Sequence, residues 1–392
     1  MSWPVVAIGD CVEKTLTWNP LLSESKNEFA YIDLSSVDKE KKEIVQHNVA
    51  SVLPADAPSR ARQLVKSNDV LVATVRPNLN GVALVPDQYD GATASTGYCV
   101  LRPKIKKLDS QYLYYWVQTG TFVTDMMEKA TGANYPAVSD KIIKQSKIPL
   151  PSLPEQKRIA AILDKADAIR RKRQQVIQLA DEFLRAVFLD MFGDPVTNPR
   201  GWDCYKLEDL VSKPITYGIL KPEEFVSYGI PMLRIQDLKN GAIDVKSEFH
   251  LVSEKLSGQY KRTVLGGGEI VISLVGSIGI VARVPLELKG SNVHRNLGVI
   301  KLKDSSVAEY VASFMQLPQF MTILERVSKG GVHKLLNLAD LKEVEIPIPT
   351  MGMIEKYTAI KEHVSGLIAK SKAAEKELIF EALSQKAFSG EL

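Results

Sequence analysis

The sequence predicts an α+β protein with two pseudo-symmetric globular domains, each built on small twisted β-sheets with flanking helices, separated by two long antiparallel coiled-coil helices. Two observations support this fold class: a long internal repeat, and a heptad spacing of apolar residues in the segment that follows each globular domain. The phrase "SKIPLP" at 146–151 returns as "VEIPIP" at 344–349, and each copy opens a long helical run.

The internal repeat covers most of the chain. "NDVLVATV" (68–75) resembles "GEIVISLV" (268–275), and both segments are rich in Val and Ile, as buried strands are. Farther on, "YLYYWVQTGTF" (112–122) matches "YVASFMQLPQF" (310–320). Matched segments in the same order at a nearly constant offset indicate a tandem duplication, although coincidence among short apolar motifs is the alternative.

The repeat also places the domain boundaries. The hinge "GDPVTNPRGW" is rich in Gly, Pro and Asn, so it should end the first long helix. We expect a first globular domain over 1–150, a central helical region over 151–192, the hinge with a second globular domain over 193–348, and a distal C-terminal helical region over 349–392.

Apolar residues recur at steps of three and four in both helical regions, which is the a/d spacing of a coiled-coil seam. The predicted seam consists of Ile159, Ile162, Ala166, Ile169, Arg173, Val176, Tyr357, Ile360, Val364, Leu367, Ser371 and Ala374. Arg173 and Ser371 are polar and stand at matching midpoints, so an antiparallel pair would bring them together. A seam of about 30 residues would be about 45 Å long. Two independent amphipathic core helices are the alternative.

Composition sets broad limits on the class of protein. The chain has 392 residues, enough for two or three domains, and its 50 basic and 46 acidic residues give a net charge of +4, which is compatible with nucleic-acid binding without arguing for it. The three cysteines are far apart and form no CxxC, which disfavours a disulfide scaffold or a structural zinc site. The N-terminus lacks a signal-peptide pattern and no apolar run could span a bilayer, so we expect a cytoplasmic protein without a membrane segment.

The common catalytic motifs are missing from the sequence. It contains no P-loop, no HExxH and no NPP[YF] tetrad of adenine methyltransferases. The five histidines form no i, i+3 or i, i+4 ligand pair. We therefore expect no catalytic residue, no metal site and no cofactor in this chain.

Three segments carry a resemblance to a known family: "KIPLPSLPEQKRIAAILDKADAI" (147–169), "FLDMFGDPVTNPRGW" (188–202) and the terminal "KAFSGEL" (386–392). They resemble the specificity (S) subunit of type I restriction–modification systems, and the likeness extends over the whole chain. The second helical region departs from the pattern, because "TMGMIEKYTAIKEHV" lacks the EQ pair and the first proline of "LPEQ".

The resemblance implies a non-catalytic DNA reader in which each globular domain is a target-recognition domain for one half of a bipartite, asymmetric site on double-stranded DNA. The helical pair would set the spacer and dock two modification (adenine methyltransferase) subunits, which restriction (endonuclease and translocase) subunits would join. The assembled complex would be a type I site-specific deoxyribonuclease and an adenine-specific DNA methyltransferase. S-adenosylmethionine, ATP and Mg²⁺ would be bound by the partner subunits. A coiled-coil scaffold carrying two protein-binding domains, or a self-contained restriction enzyme, are the alternatives.

Base reading needs Arg, Lys, Asn, Gln or His side chains, and the best candidates for DNA contacts are polar residues on loops at equivalent positions of the two repeats. Such loops follow the matched strands, contain the matched glycines or, in "VHRN", lie beside a strand. The candidates are Arg76, Asn78, Asn80, Asn134, Tyr135, Ser277, His294, Arg295, Asn296, His333 and Lys334, with Arg60, Arg62, Lys66, Lys261 and Arg262 as candidates for phosphate contacts. An ordinary solvated surface role is the alternative for each of them.

Overall fold

The structure, a computed structural model, describes residues 3–132, 135–221, 226–239, 241–328, 335–373 and 379–392, with the side chains of 370–373, 379 and 381 outside the description. Contacts divide the chain into two compact units. Unit 1 comprises Met1–Val176 with Ser371–Leu392, and unit 2 comprises Ile177–Lys370. Each unit therefore contains one globular repeat together with parts of both helical regions.

Unit 1 is built on two four-stranded sheets, with strand orders β6-β3-β10-β7 and β2-β11-β8-β9. Its strands are β1 (Val5–Ala7), β2 (Val12–Glu13), β3 (Phe29–Ile32), β4 (Val37–Asp38), β5 (Glu43–Ile44), β6 (Ala50–Val52), β7 (Ala61–Leu64), β8 (Val70–Ala73), β9 (Val82–Leu84), β10 (Thr93–Ser95), β11 (Tyr98–Pro103) and β12 (Lys147–Pro149). Its helices are α1 (Ser110–Trp116), α2 (Gly120–Lys129), α3 (Asp140–Gln145) and the first part of α4 (Leu153–Phe192).

Unit 2 repeats this arrangement, with a four-stranded sheet β14-β22-β19-β20 and a three-stranded sheet β18-β15-β21. Its strands are β13 (Asp203–Lys206), β14 (Thr216–Tyr217), β15 (Ile230–Leu233), β16 (Leu238–Lys239), β17 (Ala242–Ile243), β18 (His250–Val252), β19 (Ile270–Ser273), β20 (Val281–Arg283), β21 (Asn292–Val293), β22 (Leu297–Ile300) and β23 (Glu345–Ile348). Its helices are α5 (Leu207–Leu210), α6 (Glu254–Gln259), α7 (Ala308–Gln316), α8 (Pro318–Val327), α9 (Leu338–Lys342) and α10 (Met351–Ala373), and α11 (Ile379–Ser389) follows in unit 1.

The two phrases that the sequence repeats make the same contact in both units. Each phrase forms the second strand of an antiparallel pair, β1–β12 in unit 1 and β13–β23 in unit 2. The Tyr112 hydroxyl donates to the Pro149 carbonyl at 2.9 Å, and the Tyr310 hydroxyl donates to the Pro347 carbonyl at 2.6 Å. Both tyrosines are completely buried. The duplication predicted from the sequence is therefore also a duplication of packing.

The glutamine of the "EQ" pair fixes the start of α4 to unit 1. The buried Gln156 amide donates to the Lys107 and Pro151 carbonyls, and its oxygen accepts from the Asp109 amide. In α10 the matching position, 198 residues on, is the buried Ile354. An apolar side chain there needs no hydrogen-bond partner, which explains why the second helix can lack the pair.

Each core is completed by the end of the helix that follows the other repeat. In unit 2, Phe192 at the end of α4 packs edge-on against Tyr310, with ring centroids 4.9 Å apart. In unit 1, Phe388 of α11 packs against Tyr112 at 5.1 Å and against Trp116 at the same distance. The long helices therefore do not pack only within their own repeats.

Within unit 1, α4 and α11 run antiparallel. Arg158, near the start of α4, donates to the carbonyl of Leu392, the last residue, at 3.0 Å. Three turns farther along α4, the Arg170 guanidinium lies 5.8 Å from the centre of the Phe380 ring, near the start of α11. The partners thus follow each other in reverse order along the two helices, as the seam prediction expected.

The predicted seam is buried near the start of each helix and exposed farther along. Ile159, Ala166 and Tyr357 are buried as expected, while Ile169, Val176 and Leu367 are 50%, 52% and 54% exposed. Burial of these three positions was thus a wrong expectation. The start of α4 buries a broader face of period 3.6, which adds Ala160, Leu163 and Asp167 and turns away from the a/d stripe.

The remaining seam positions are intermediate or outside the description. Ile162, Arg173, Ile360 and Val364 are half-buried. The predicted meeting of Arg173 with Ser371, and the placement of Ala374, lie outside the described residues and stay predictions.

Candidate nucleic-acid interface

In unit 1 the structure brings two of the predicted loops together. Strand β8 is followed by Val75, which forms an antiparallel bridge with Ala137, and the Arg76 amide donates to the Pro136 carbonyl at 2.7 Å. The Arg76 guanidinium lies over the Tyr135 ring, 4.6 Å from its centre. Tyr135 is 66% exposed. A guanidinium stacked on an exposed aromatic ring offers a flat cationic surface of the kind that contacts bases and phosphates.

A glycine allows the second loop to close under this pair. Gly132 has a φ of 98°, and a Cβ there would lie 2.8 Å from the Tyr135 carbonyl oxygen. Only glycine fits such a close approach in this conformation. The sequence-based expectation that the matched glycines permit tight backbone contacts is thus met at Gly132. Asn134, His333 and Lys334, the other candidates on this loop pair, lie outside the described residues.

The loop after β8 is hydrogen-bonded to the β-hairpin formed by β4 and β5. The Asn80 backbone carbonyl accepts a hydrogen bond from the Lys42 ammonium at 2.6 Å, and the Asn80 side-chain amide donates to the Gln118 carbonyl at 3.2 Å. The Tyr114 hydroxyl donates to the Lys42 carbonyl at 2.9 Å. Burial and then Arg170 lower the pKa of Lys42 to about 8, so the ammonium is still mostly charged at neutral pH.

The predicted phosphate contacts of unit 1 do not all gather at this loop. Arg60 is exposed, and its backbone carbonyl accepts a hydrogen bond from the Thr96 amide. The carbonyl of the next residue, Gly97, accepts a hydrogen bond from the amide of Thr74, the residue that follows β8. Lys66, in contrast, precedes β8 whereas Arg76 follows it, so the two lie at opposite ends of that strand.

The other two candidates of unit 1 differ in exposure. Asn78 is exposed between Arg76 and Asn80. Arg62 is half-buried on β7, and its guanidinium donates to the Ala61 carbonyl at 2.9 Å. The Asn78 side chain is therefore accessible for a contact outside the chain, whereas the Arg62 guanidinium already makes a hydrogen bond within the domain.

In unit 2 the turn after β21 lies beside the end of β19. The Asn296 carbonyl accepts from the Leu274 amide at 2.8 Å, and the loop with exposed Ser277 leaves β19 two residues later. Arg295 is exposed, and its guanidinium donates to the Leu220 carbonyl at 3.5 Å. Of the phosphate candidates, Lys261 and Arg262 are exposed in a short 3₁₀-helix ahead of β19.

A basic residue that the sequence analysis missed belongs to this group. Because β15 and β21 are parallel neighbours, Arg234 and His294 follow the two strands at the same sheet edge. Burial, followed by Arg295, Arg234 and His250, lowers the pKa of His294, so the imidazole is neutral at pH 7 and can donate or accept a hydrogen bond. Only the parallel pairing reveals Arg234, and this pairing has no local sequence signal.

A cleft in unit 2 contains a cysteine that is not suited to catalysis. It has a volume of about 870 Å³ and is lined by residues that include Asn198, Cys204, Lys206 and Glu345. Burial and then Glu345 raise the pKa of the Cys204 thiol, the opposite of what a thiolate nucleophile requires. Among the described residues there is also no cluster of three or more His, Cys, Asp or Glu that could hold a metal ion.

With this geometry established, comparison with known proteins assigns the family. The family model of the type I restriction modification DNA specificity domain matches residues 5–179 and again residues 199–375. The chain belongs to this family. Its two type I specificity domains support the interpretation as a non-catalytic DNA-recognition protein, and not as a scaffold for protein-binding domains.

The relatives of the chain within the type I specificity family are distant but extend over most of its length. The Type I restriction enzyme EcoBI specificity subunit of Escherichia coli is 23% identical over 387 residues, covering 84% of this chain and 80% of the relative. The MjaVIII specificity subunit of Methanocaldococcus jannaschii is 24% identical over 404 residues, covering 97% and 90%. Both relatives are specificity subunits of type I restriction enzymes, that is, parts of larger assemblies.

Solved structures show the same fold. A chain from a structural study of complex assembly and conformational transition of the type I R-M system is 24% identical, with a TM-score of 0.55 over 100% of this chain and 98% of the other. The type I restriction–modification S subunit of M. genitalium is 14% identical, with a TM-score of 0.53 over 98% and 96%. Both similarities support the α+β fold class with small sheets and long helices.

None of the helices in the described part of the chain combines the length and the apolar character that a membrane-spanning segment requires.

Proposed function

We propose that this type I specificity protein reads a bipartite, asymmetric sequence on double-stranded DNA, one half with each repeat, and that its helical regions set the spacing between the halves. One observation carries the proposal: α4 is a continuous helix whose start packs in the core of unit 1 and whose end packs in the core of unit 2. A continuous helix that contributes to the cores of both recognition domains supports the proposal of a spacer with a fixed length.

The two halves of the target should differ in sequence. In unit 1 the loop after β8 carries Arg76 and Asn80, whereas the loop after β19 carries Gly276 and Gly279. Equivalent backbones with different side chains present different hydrogen-bond donors to the major groove. An asymmetric target follows from this difference.

The complex would also contain the enzymes that act on the target. We propose that the helical regions dock two modification (adenine methyltransferase) subunits, and that restriction (endonuclease and translocase) subunits join them. S-adenosylmethionine, ATP and Mg²⁺ would then be bound by these partners. The half-exposed Val176, Phe183 and Leu367 provide apolar surface on the helical regions for such docking.

A selection experiment tests the proposal. The chain purified with its modification subunits is incubated with a pool of random duplexes, and bound DNA is sequenced. We expect enrichment of one split sequence with a constant gap, and methylated adenines within the same sequence in a host carrying the gene. The modification subunits alone serve as the control and should enrich nothing. Enrichment of a continuous sequence, or of none, would overturn the proposal.

A further inference from the structure

The backbone of unit 1 adopts an unfavourable conformation at the residues that form its candidate DNA-facing loop. Among the described residues, five non-glycine residues have a positive φ: Lys42, Asn68, Arg76, Asn80 and Asn198. Three of them are asparagines, which tolerate the left-handed region. The other two, Lys42 and Arg76, are long basic residues, which do not favour this region. Lys42 lies in the β4–β5 hairpin, and Arg76 lies in the loop after β8.

The second repeat gives an internal comparison for these positions. Gly276 follows Val275 as Arg76 follows Val75, and each valine forms the equivalent antiparallel bridge. Gly279 is the counterpart of Asn80. The carbonyl of the residue after Asn80, Gly81, accepts from the last amide of β8, and the carbonyl of the residue after Gly279, Ile280, accepts from the last amide of β19. The φ angles agree as well: 77° and 81° in unit 2, against 52° and 45° in unit 1.

Lys42 has a glycine counterpart too. It lies in the β4–β5 hairpin with a φ of 56°, and Gly241 lies in the β16–β17 hairpin with a φ of 73°. Both carbonyls accept from a side chain of the following domain helix, Tyr114 for Lys42 and Gln316 for Gly241. Glycine is the residue that adopts this conformation without strain, so unit 1 retains two basic side chains where unit 2 has none.

The side chain of Lys42 makes a specific contact that a solvated lysine would not make. It is half-buried, and its ammonium donates to the Asn80 carbonyl, which is at the end of the loop that begins with Arg76. The next residue, Glu43, pairs with Arg171 of α4 at 2.5 Å, and Arg171 also pairs with Asp167 at 2.6 Å. A continuous set of contacts therefore runs from α4 through the hairpin to the loop.

We propose that Lys42 is a positioning residue for DNA recognition: it joins the loop that carries Arg76 to the α4-anchored hairpin and fixes the direction in which Arg76 meets its half of the target. This inference rests on the proposed function. Lys42 acts through the loop backbone and does not itself contact DNA. Unit 2, with Gly241 in its place, must fix its own loop by other contacts.

Matched variants of the assembled complex test the role of Lys42. Lys42→Met removes the ammonium and keeps the length of the side chain, Lys42→Gly introduces the residue of the second repeat, and Lys41→Met removes a neighbouring exposed charge as a control. Arg76→Ala identifies the half of the target that unit 1 reads. Binding is measured on the enriched duplex and on duplexes with either half scrambled.

We expect the ratio of affinities for intact and scrambled DNA to fall about tenfold in both Lys42 variants. The loss should concern the same half of the target that Arg76→Ala affects. Binding that depends on the other half should be unchanged in each variant, which shows in the same molecule that the protein is folded. Lys42→Gly should also leave the thermal midpoint unlowered, because glycine relieves the left-handed strain. Lys41→Met should change affinity by less than twofold.

Two results would overturn the role of Lys42. One is full discrimination in Lys42→Met, and the other is an equal loss on intact and scrambled duplexes, which would indicate a general charge effect. If the unchanged complex discriminates at neither half, the proposed function fails as well. The two failures are therefore distinguishable from the behaviour of the unchanged complex.

Discussion

Arg76 combines an unfavourable backbone with an exposed, stacked side chain. A left-handed conformation costs about 1–2 kcal/mol for a residue with a Cβ, and the second repeat avoids this cost with Gly276. The guanidinium makes its stacking contact with Tyr135, another exposed residue. Strain retained at an exposed basic residue is typical of a functional position.

Replacing Arg76 with glycine should separate stability from binding. Arg76→Gly should keep or raise the thermal midpoint, because it relieves the strain, while weakening binding to the cognate site by about 1–3 kcal/mol if Arg76 contacts a base. Scanning calorimetry and a DNA titration measure the two quantities. The matched control, Gly276→Ala, adds strain at a φ of 77° and should lower stability by about 1 kcal/mol. A destabilised Arg76→Gly with full DNA affinity would contradict this account.

The sequence singled out individual candidate residues, whereas their arrangement came from the structure. The repeat pointed to Arg76 and Tyr135 separately, but their contact depends on the bridge between Val75 and Ala137, which are distant in sequence. Lys42 and Arg234 were missed because a hairpin contact and a parallel strand pair leave no periodic pattern in the chain. Long-range pairing sets such positions, and local propensity does not report it.

At the scale of elements, an ion triad fastens α10 to unit 2. Glu309 of α7 lies between Lys361 of α10 and Arg283 of β20, at 2.7 Å from each, and Lys361 also donates to the Ser313 hydroxyl. Burial raises the pKa of Glu309, but Lys361 and Arg283 outweigh this effect, so the net pKa is below its usual value of 4.5. The triad therefore stabilises the fold at neutral pH.

Removing the lysine of the triad should give a pH-dependent loss of stability. Lys361→Met should lower the free energy of unfolding at pH 7 by about 3 kcal/mol, since a mostly buried carboxylate loses a partner. Because the pKa of Glu309 is lowered in the folded state, its contribution is complete above pH 4.5 and is lost as the pH falls further.

The difference between wild type and the Lys361 variant should accordingly shrink below pH 4.5, as measured by urea denaturation. Lys356→Met, an exposed lysine of the same helix, should change stability by less than 0.5 kcal/mol. A loss of stability that stays constant down to pH 3.5 would exclude the ion pair as its cause.

The helical regions show where periodicity is informative and where it is not. The spacing correctly predicted long helices and, in unit 1, the antiparallel course of α4 and α11. It gave the wrong burial for Ile169 and Val176, because steps of three and four fit both a narrow seam and one edge of a broader face. Only the neighbouring domain decides between these two kinds of packing.

At the scale of the whole molecule, the duplication explains why the chain needs two helical regions. Each repeat contributes a helix whose end completes the core of the other unit, with Phe192 against Tyr310 and Phe388 against Tyr112. Removing either end would leave a hydrophobic core open. The proposed spacer is thus part of the fold of both recognition domains.

The most direct test of the spacer is to lengthen it. Seven residues inserted into α4 and seven into the second helical region add about 10 Å of helix, or about three base pairs at 3.4 Å each. Seven residues inserted at the exposed Ile105 turn are the control and should not affect spacing. Selection from random duplexes by the lengthened complex should recover the same two half-sites with a gap about three base pairs longer. Recovery of the original gap would contradict the claim that the helices set the distance.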